Sequence, residues 1–135
     1  MKSLLVFMLL WIGDNTNYNT DLMHPKVIFV SEQVLGEMYG GRTTSATSLK
    51  AFYNTKTDVI YLKDEWDIHS PWDKGVLFHE LLHYVQDQNN IKVDCVQQYE
   101  KEAYPLQKKY LLQVHGLVWN YDQLWYKVVS TCPTN

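Results

Sequence analysis

Changes in the period of hydrophobic and polar residues divide the chain into predicted elements. An apolar run over residues 2–12 predicts a first helix, and the Asn-rich stretch 13–25 predicts a loop. The β-branched run 26–30 predicts a buried strand. A short helix over residues 32–39 is expected to follow, with Ser31 as its capping residue.

The middle of the chain predicts a β-hairpin. Residues 42–48 are rich in Ser and Thr, which is typical of a surface loop. Two short apolar runs, 49–53 and 58–62, flank the turn-like sequence 54–57 and read as paired strands. In the second run, Val59 and Tyr61 would face one side of the sheet and Ile60 and Leu62 the other, which suits a sheet covered on at least one face.

The second half of the chain predicts a run of helices. A serine followed by a proline favours a helix start, and a helix is expected over residues 71–88. The next helix should begin near Asp94, kink or restart around Pro105, and end at Gly116. A last helix is expected over residues 120–130. Strands followed by helices predict an α+β fold, and 135 residues suit a single domain.

Charge and hydropathy remove two classes of function. The formal net charge is −3 and the Lys and Arg residues are scattered, so nucleic-acid binding has no support. The apolar segment 2–12 is too short to span a membrane. It lacks the small-residue cleavage site of a secretory signal, so we predict a buried first helix, with a signal peptide as the alternative.

The chain has two cysteines, Cys95 and Cys132, whose oxidation state would indicate the cellular compartment of the protein. They could remain buried thiols or form one disulfide, which would indicate an extracytoplasmic location. Neither belongs to a Cys-x-x-Cys pair, so a thiolate zinc site is not expected.

The strongest chemical signal is the sequence His-Glu-Leu-Leu-His over residues 79–83, in the middle of a predicted helix. Residues four apart on a helix differ by about 40° around its axis, so His79 and His83 can bind one ion. Imidazole suits Zn²⁺. Glu80 lies about 100° away, beside the metal rather than on it. The motif therefore predicts a zinc site with Glu80 as general base.

A catalytic zinc also needs a third protein ligand. A third histidine six residues after His83 would stand at position 89, which is Asn89, so the metzincin arrangement is excluded. The better candidates are two carboxylates on the following predicted helix, Glu100 and Glu102. They project about 200° apart, so only one of them can face the metal.

These residues resemble the gluzincin group of metallopeptidases. Members of that group supply the third ligand as the first Glu of a Glu-x-x-Ala stretch, which residues 100–103 match. Phage-repressor-cleaving peptidases have a similar stretch. The layout also resembles short bacterial zincin-like proteins, which carry a Trp-containing first helix, a Tyr-rich hairpin and a stretch like residues 102–107.

The resemblance implies Glu100 as third ligand, with Glu102 as the alternative. It implies a compact zincin-like domain in which the motif helix and the third-ligand helix pack on a small sheet. Ala103 is small enough to let the two helices approach closely. The resemblance further implies that the hairpin strand beside the cleft pairs with an extended peptide or protein substrate.

The predicted activity is zinc-dependent hydrolysis of a peptide bond, with Glu80 taking a proton from the activated water. Tyr104 lies one turn beyond the third ligand and is our candidate donor to the oxyanion. Asp87 and Asp94 are candidates for orienting the imidazoles. Other donors left open are Tyr84, Tyr99 and His115.

Two other classes of function stay open. The first is a non-catalytic zinc-binding scaffold or protein-interaction module. Glu80 argues against it, since a structural zinc site has no use for that acid. The second is a secreted or membrane-anchored interaction protein built around residues 3–12, in which the motif is incidental.

Overall fold

The computed structural model describes residues 1–39 and 50–134. Within them lie five helices and one three-stranded sheet, and the strands precede the three last helices, so the α+β prediction is confirmed. The loop predicted over residues 42–48 lies outside the described residues. The elements are α1 Lys2–Asn15, β1 Lys26–Val30, α2 Glu32–Met38, β2 Ala51–Asn54, β3 Val59–Lys63, α3 Pro71–Gln88, α4 Gln97–His115 and α5 Gln123–Val129.

Local capping interactions explain where the helices begin and end. The α3 helix has the predicted bounds, and its capping residue Ser70 accepts a hydrogen bond from the N–H of Asp73. The first helix continues past its predicted end because the Asn15 side chain donates to the carbonyl of Trp11 at 2.8 Å. The last helix starts later than predicted, at the capping residue Asp122.

The sheet has the strand order β1-β3-β2. β2 and β3 are antiparallel, so the predicted hairpin is confirmed, and β1 joins β3 in parallel. The prediction that β1 is buried was wrong, since Ile28 and Phe29 are 37% and 46% exposed. The reason is its position: β1 is an edge strand, and α3 packs mainly on β2 and β3.

The core lies between one face of the sheet and the helices α1, α3 and α4. The Phe78 ring of α3 stacks on Tyr110 of α4, with centroids 4.5 Å apart, and meets Trp11 of α1 edge-on. This places α3, which carries the His-Glu-Leu-Leu-His motif, at the centre of the packing. Side chains with no exposed surface are Met8, Ile12, Leu35, Ile60, Leu62, Leu77, Phe78, Leu81, Leu82, Val85, Ala103 and Tyr110.

Pro105 lies inside α4, and the helix continues through it from Gln97 to His115. Of the two predicted outcomes, a restart at this proline was therefore wrong, and a kink stays a prediction. A proline lacks the N–H that would bond to the carbonyl four residues earlier, here that of Lys101. The hydroxyl of Tyr126 donates to this carbonyl at 2.7 Å. The last helix thus supplies the hydrogen bond that Pro105 cannot make.

Replacing Tyr126 by Phe should lower the free energy of unfolding by about 1 kcal/mol, since the Lys101 carbonyl loses its donor. Urea denaturation measures this. Tyr121→Phe is the matched control, because its hydroxyl makes no hydrogen bond within the described part of the chain. Equal stability of the two variants would show that water replaces the Tyr126 hydroxyl without cost.

Cys95 and Cys132 form a disulfide, with their Cα atoms 5.7 Å apart. The bridge ties the segment before α4 to the segment after α5. None of the helices within residues 1–39 and 50–134 combines the length and hydropathy needed to cross a membrane.

Candidate metal centre

The helices α3 and α4 bring together three of the predicted side chains, His79, His83 and Glu100. The two Nε2 atoms of the histidines are 3.1 Å apart. One carboxylate oxygen of Glu100 lies 3.0 Å from Nε2 of His79, and the other lies 2.5 Å from Nε2 of His83. All three side chains are largely buried, with 16% of each imidazole and 25% of the carboxylate side chain exposed.

Small residues allow this convergence. A Cβ atom added to Gly75 of α3 would lie 3.0 Å from the Leu111 side chain of α4. Ala103, directly after Glu102 in α4, has no exposed surface. A larger side chain at Gly75 would require the Leu111 side chain to move by a few tenths of an ångström, and a larger one at Ala103 would have to fit at a fully buried position.

The three side chains fit a zinc ion. Two imidazole nitrogens and a carboxylate oxygen are ligands that Zn²⁺ commonly takes in proteins. With Zn–ligand bonds of about 2.0–2.1 Å, the ligand atoms of a tetrahedral site stand roughly 3.3 Å apart. The separations of 3.1 Å and 3.0 Å are close to that value, while the 2.5 Å contact is that of a direct hydrogen bond.

Glu80 lies beside the imidazoles and is held by the sheet. Its Oε1 accepts a hydrogen bond from the backbone N–H of Tyr53 in β2 at 3.2 Å. Ligand atoms of His79, Glu80 and His83 all lie within 4.8 Å of one another. Glu100 contacts both histidine nitrogens directly, whereas Glu80 is hydrogen-bonded to the strand and lies close enough to the histidines to be a possible ligand as well.

Glu102 does not join this group. Its carboxylate accepts hydrogen bonds from the hydroxyl of Tyr18 and from the side-chain amide of Gln86, the latter at 3.0 Å. Two residues along a helix turn the side chain about 200°, which is why only Glu100 reaches the histidines.

Two glutamines orient the imidazoles. The side-chain oxygen of Gln107 lies 2.8 Å from Nδ1 of His79, and that of Gln86 lies 2.8 Å from Nδ1 of His83. Both glutamine side chains are buried, with 7% and 2% of their surface exposed. Such partners fix the ring orientation and direct both Nε2 atoms to one point.

The prediction that Asp87 or Asp94 orients the imidazoles was wrong. Asp87 accepts a hydrogen bond from the Tyr53 hydroxyl at 2.5 Å, and Asp94 bonds to Gln98 on the surface. The sequence held a usable signal for Gln86, since it lies three residues after His83 and therefore on the same helix face. No comparable local signal points to Gln107, whose contact depends on how α4 packs on α3.

The charges at the site are strongly coupled. Burial lowers the pKa of His83, but the hydrogen bond and negative charge of Glu100, with a contribution from Glu80, raise it to about 9. Burial raises the pKa of Glu100, and the two histidines outweigh this and hold it below its usual range. The Glu100–His83 pair is therefore ionised at neutral pH, and a bound cation would compete with the histidine proton.

Tyr104 lies against the site, as its position one turn after Glu100 predicts. Its ring meets that of His79 edge-on, with centroids 5.4 Å apart, and stacks on Trp119. Burial raises the pKa of Tyr104, and the charges of Glu100 and Glu80 add to the rise. Its phenol thus stays protonated near neutral pH and can donate a hydrogen bond.

The other donors that the sequence left open make hydrogen bonds elsewhere. Their partners are the carbonyl of Met23 for Tyr84, the carbonyl of Ile91 for Tyr99, and the hydroxyl of Tyr110 for His115. This leaves Tyr104 as the candidate donor at the site.

Fold and site together define an α+β domain with a His/Glu cluster between two packed helices. The chain belongs to the family described as Domain of unknown function (DUF6647), whose model matches residues 1–135. Comparison with curated proteins gave no match, and comparison with solved structures gave none either.

Proposed function

We propose that the protein is a zinc-dependent hydrolase, a metallopeptidase of the gluzincin type. The observation that carries the proposal is the convergence of His79, His83 and Glu100 on one point, with Glu80 beside them. The ligand set and its spacing suit Zn²⁺. A free carboxylate next to the ligands suits catalysis, because a structural zinc site does not need one.

Each side chain has a distinct role in this proposal. His79, His83 and Glu100 would hold the metal. When bound, Zn²⁺ supplies a Lewis acid and makes water acidic enough to act as a nucleophile near neutral pH. Glu80 accepts the proton of the attacking water and passes it to the leaving amine. The N–H of Tyr53 keeps the Glu80 carboxylate in place between these two events.

Tyr104 completes the proposed machinery as a hydrogen-bond donor to the developing oxyanion. One observation supports this role: the Tyr104 ring lies edge-on against that of His79. A phenol is protonated at neutral pH and can donate. Stacking on Trp119 limits the freedom of the ring.

The outer edge of β2 supports an extended peptide as the substrate. The N–H of Lys63 donates to the carbonyl of Lys50, so these two residues form a hydrogen-bonded pair of the antiparallel ladder. Hydrogen-bonded pairs alternate with pairs that are not hydrogen-bonded along such a ladder. Ala51 and Tyr53 therefore direct their backbone N–H and C=O groups away from β3. On this outer side, the Tyr53 N–H donates to the carboxylate of Glu80. A peptide added to this edge as a strand could pair with the backbone groups of Ala51 and would pass directly beside Glu80, to which the Tyr53 N–H already donates.

We further propose an extracytoplasmic location. The support is the Cys95–Cys132 disulfide, since such bridges persist in oxidising compartments and are rare in the cytosol.

The test is hydrolysis of a pool of unfolded peptides by purified protein with its disulfide formed. We expect new peptide termini by mass spectrometry, their loss after treatment with a zinc chelator, and their return when Zn²⁺ is added back. One equivalent of bound zinc with no cleavage of any peptide would favour the scaffold alternative. Cleavage that survives complete removal of the metal would rule out the proposal.

A further inference from the structure

The orientation of the Gln86 side chain is fixed by its neighbours. Its amide nitrogen donates to the carbonyl of Tyr99 at 3.2 Å and to the carboxylate of Glu102 at 3.0 Å. Both partners offer only acceptors at these atoms, so the NH₂ group must face them and the amide oxygen must face His83. Because that oxygen can only accept, Nδ1 of His83 carries a proton and donates it.

This arrangement leaves Nε2 of His83 as the ring nitrogen available to a metal. A neutral imidazole with its proton on Nδ1 has its lone pair on Nε2, which is the atom that points to His79 and Glu100. The chain of contacts therefore runs from the Glu102 carboxylate through the Gln86 amide to the imidazole.

Glu102 is itself held in place. The hydroxyl of Tyr18, in the segment after α1, donates to the same carboxylate oxygen that accepts from Gln86. Gln86 is almost fully buried, so water has little access to its amide contacts, whereas Glu102 is half-buried and lines an open surface cavity together with Tyr18.

We propose that Glu102 is a positioning residue for the zinc site, which acts on His83 through Gln86. This inference rests on the proposed function, because it assumes that His83 binds the metal. Without Glu102, the Gln86 amide nitrogen keeps only the Tyr99 carbonyl as an acceptor, so the side chain is held less firmly. A less firmly held Gln86 orients the His83 ring less precisely, and zinc binding must then supply the lost order.

Zinc affinity, measured by competition with a chelator, tests the proposal in a double-mutant cycle. Glu102→Leu and Gln86→Leu should each weaken zinc binding, roughly 10- to 100-fold for loss of such a partner. The double variant should bind zinc no more weakly than Gln86→Leu alone, since Glu102 acts only through Gln86. Glu102→Gln, which keeps an acceptor oxygen for the Gln86 amide, should retain most of the affinity.

The second imidazole provides the matched control. His79 is held by Gln107, which has no hydrogen bond to Gln86 or Glu102 among the described residues. The fold-losses of zinc affinity caused by Gln107→Leu and by Glu102→Leu should therefore multiply when the two substitutions are combined. Circular dichroism and the thermal midpoint of each variant show that it is folded before its affinity is compared.

A second readout is the ring proton of His83 in the zinc-loaded protein. We expect a slowly exchanging Nδ1–H resonance in the wild type and faster exchange of it in Glu102→Leu. Unchanged zinc affinity in Glu102→Leu, or losses that multiply with Gln86→Leu, would overturn the proposal. The wild type could bind zinc and the variants could show the predicted changes in zinc affinity while no peptide is hydrolysed. That result would support the positioning role of Glu102 and would refute only the proposal that the protein is a hydrolase.

Discussion

Replacing Glu80 by Gln is expected to lower kcat/KM for peptide hydrolysis by roughly 10²- to 10⁴-fold, the usual contribution of a general base. The amide cannot take a proton from water. It keeps the shape of the carboxylate and an oxygen that can accept from the Tyr53 N–H, so the local structure should be preserved. Zinc should stay bound, because Glu80 is not among the three ligands that we assign.

The measurement is kcat/KM together with zinc content in the same preparations of wild type and variant. Glu65→Gln is the matched control, since Glu65 is an exposed residue in the turn after β3 and the substitution removes the same charge. It should leave both quantities unchanged. A Glu80→Gln variant that hydrolyses peptides at the wild-type rate with zinc bound would exclude Glu80 as the base.

The second large effect concerns the disulfide. Removing it by Cys95→Ser and Cys132→Ser should lower the free energy of unfolding by about 4 kcal/mol, because the bridge closes a loop across a sequence separation of 37 residues. The segment it secures is otherwise held by the Tyr126 hydrogen bond and by aromatic contacts, since α5 contributes no buried side chain to the core.

Urea denaturation of the double variant gives this value, and the reduced wild type should show the same loss. Zinc content of the folded double variant should be unchanged, since His79, His83 and Glu100 lie on the α3–α4 pair. A loss well under 1 kcal/mol would mean that the aromatic contacts of Tyr104, Trp119 and Tyr126 hold the segment without the bridge.

The parts of the fold that were predictable from the sequence are those set by neighbouring residues. The bounds of α3 follow from the capping serine and the proline at its first position, and those of β1 from a run of β-branched residues. The meeting of His79 with His83 follows from helical spacing alone. These features need no knowledge of how the elements pack.

The features that were missed depend on contacts between distant elements. The exposure of β1 depends on the strand order, because β1 lies on the side of the sheet opposite β2, the strand on which α3 mainly packs. Continuity of α4 through Pro105 depends on a hydroxyl that arrives from α5, Tyr126. The partner of His79 is Gln107 on another helix, so the spacing along the motif helix could not reveal it.

The most direct test of a zinc centre between α3 and α4 is the metal content of purified wild type beside Glu100→Ala and Glu102→Ala. We predict one equivalent of zinc in the wild type and essentially none in Glu100→Ala. Glu102→Ala should still bind zinc at saturating concentration, although more weakly. A wild type without zinc, or a Glu100→Ala variant that retains a full equivalent, would contradict the assignment.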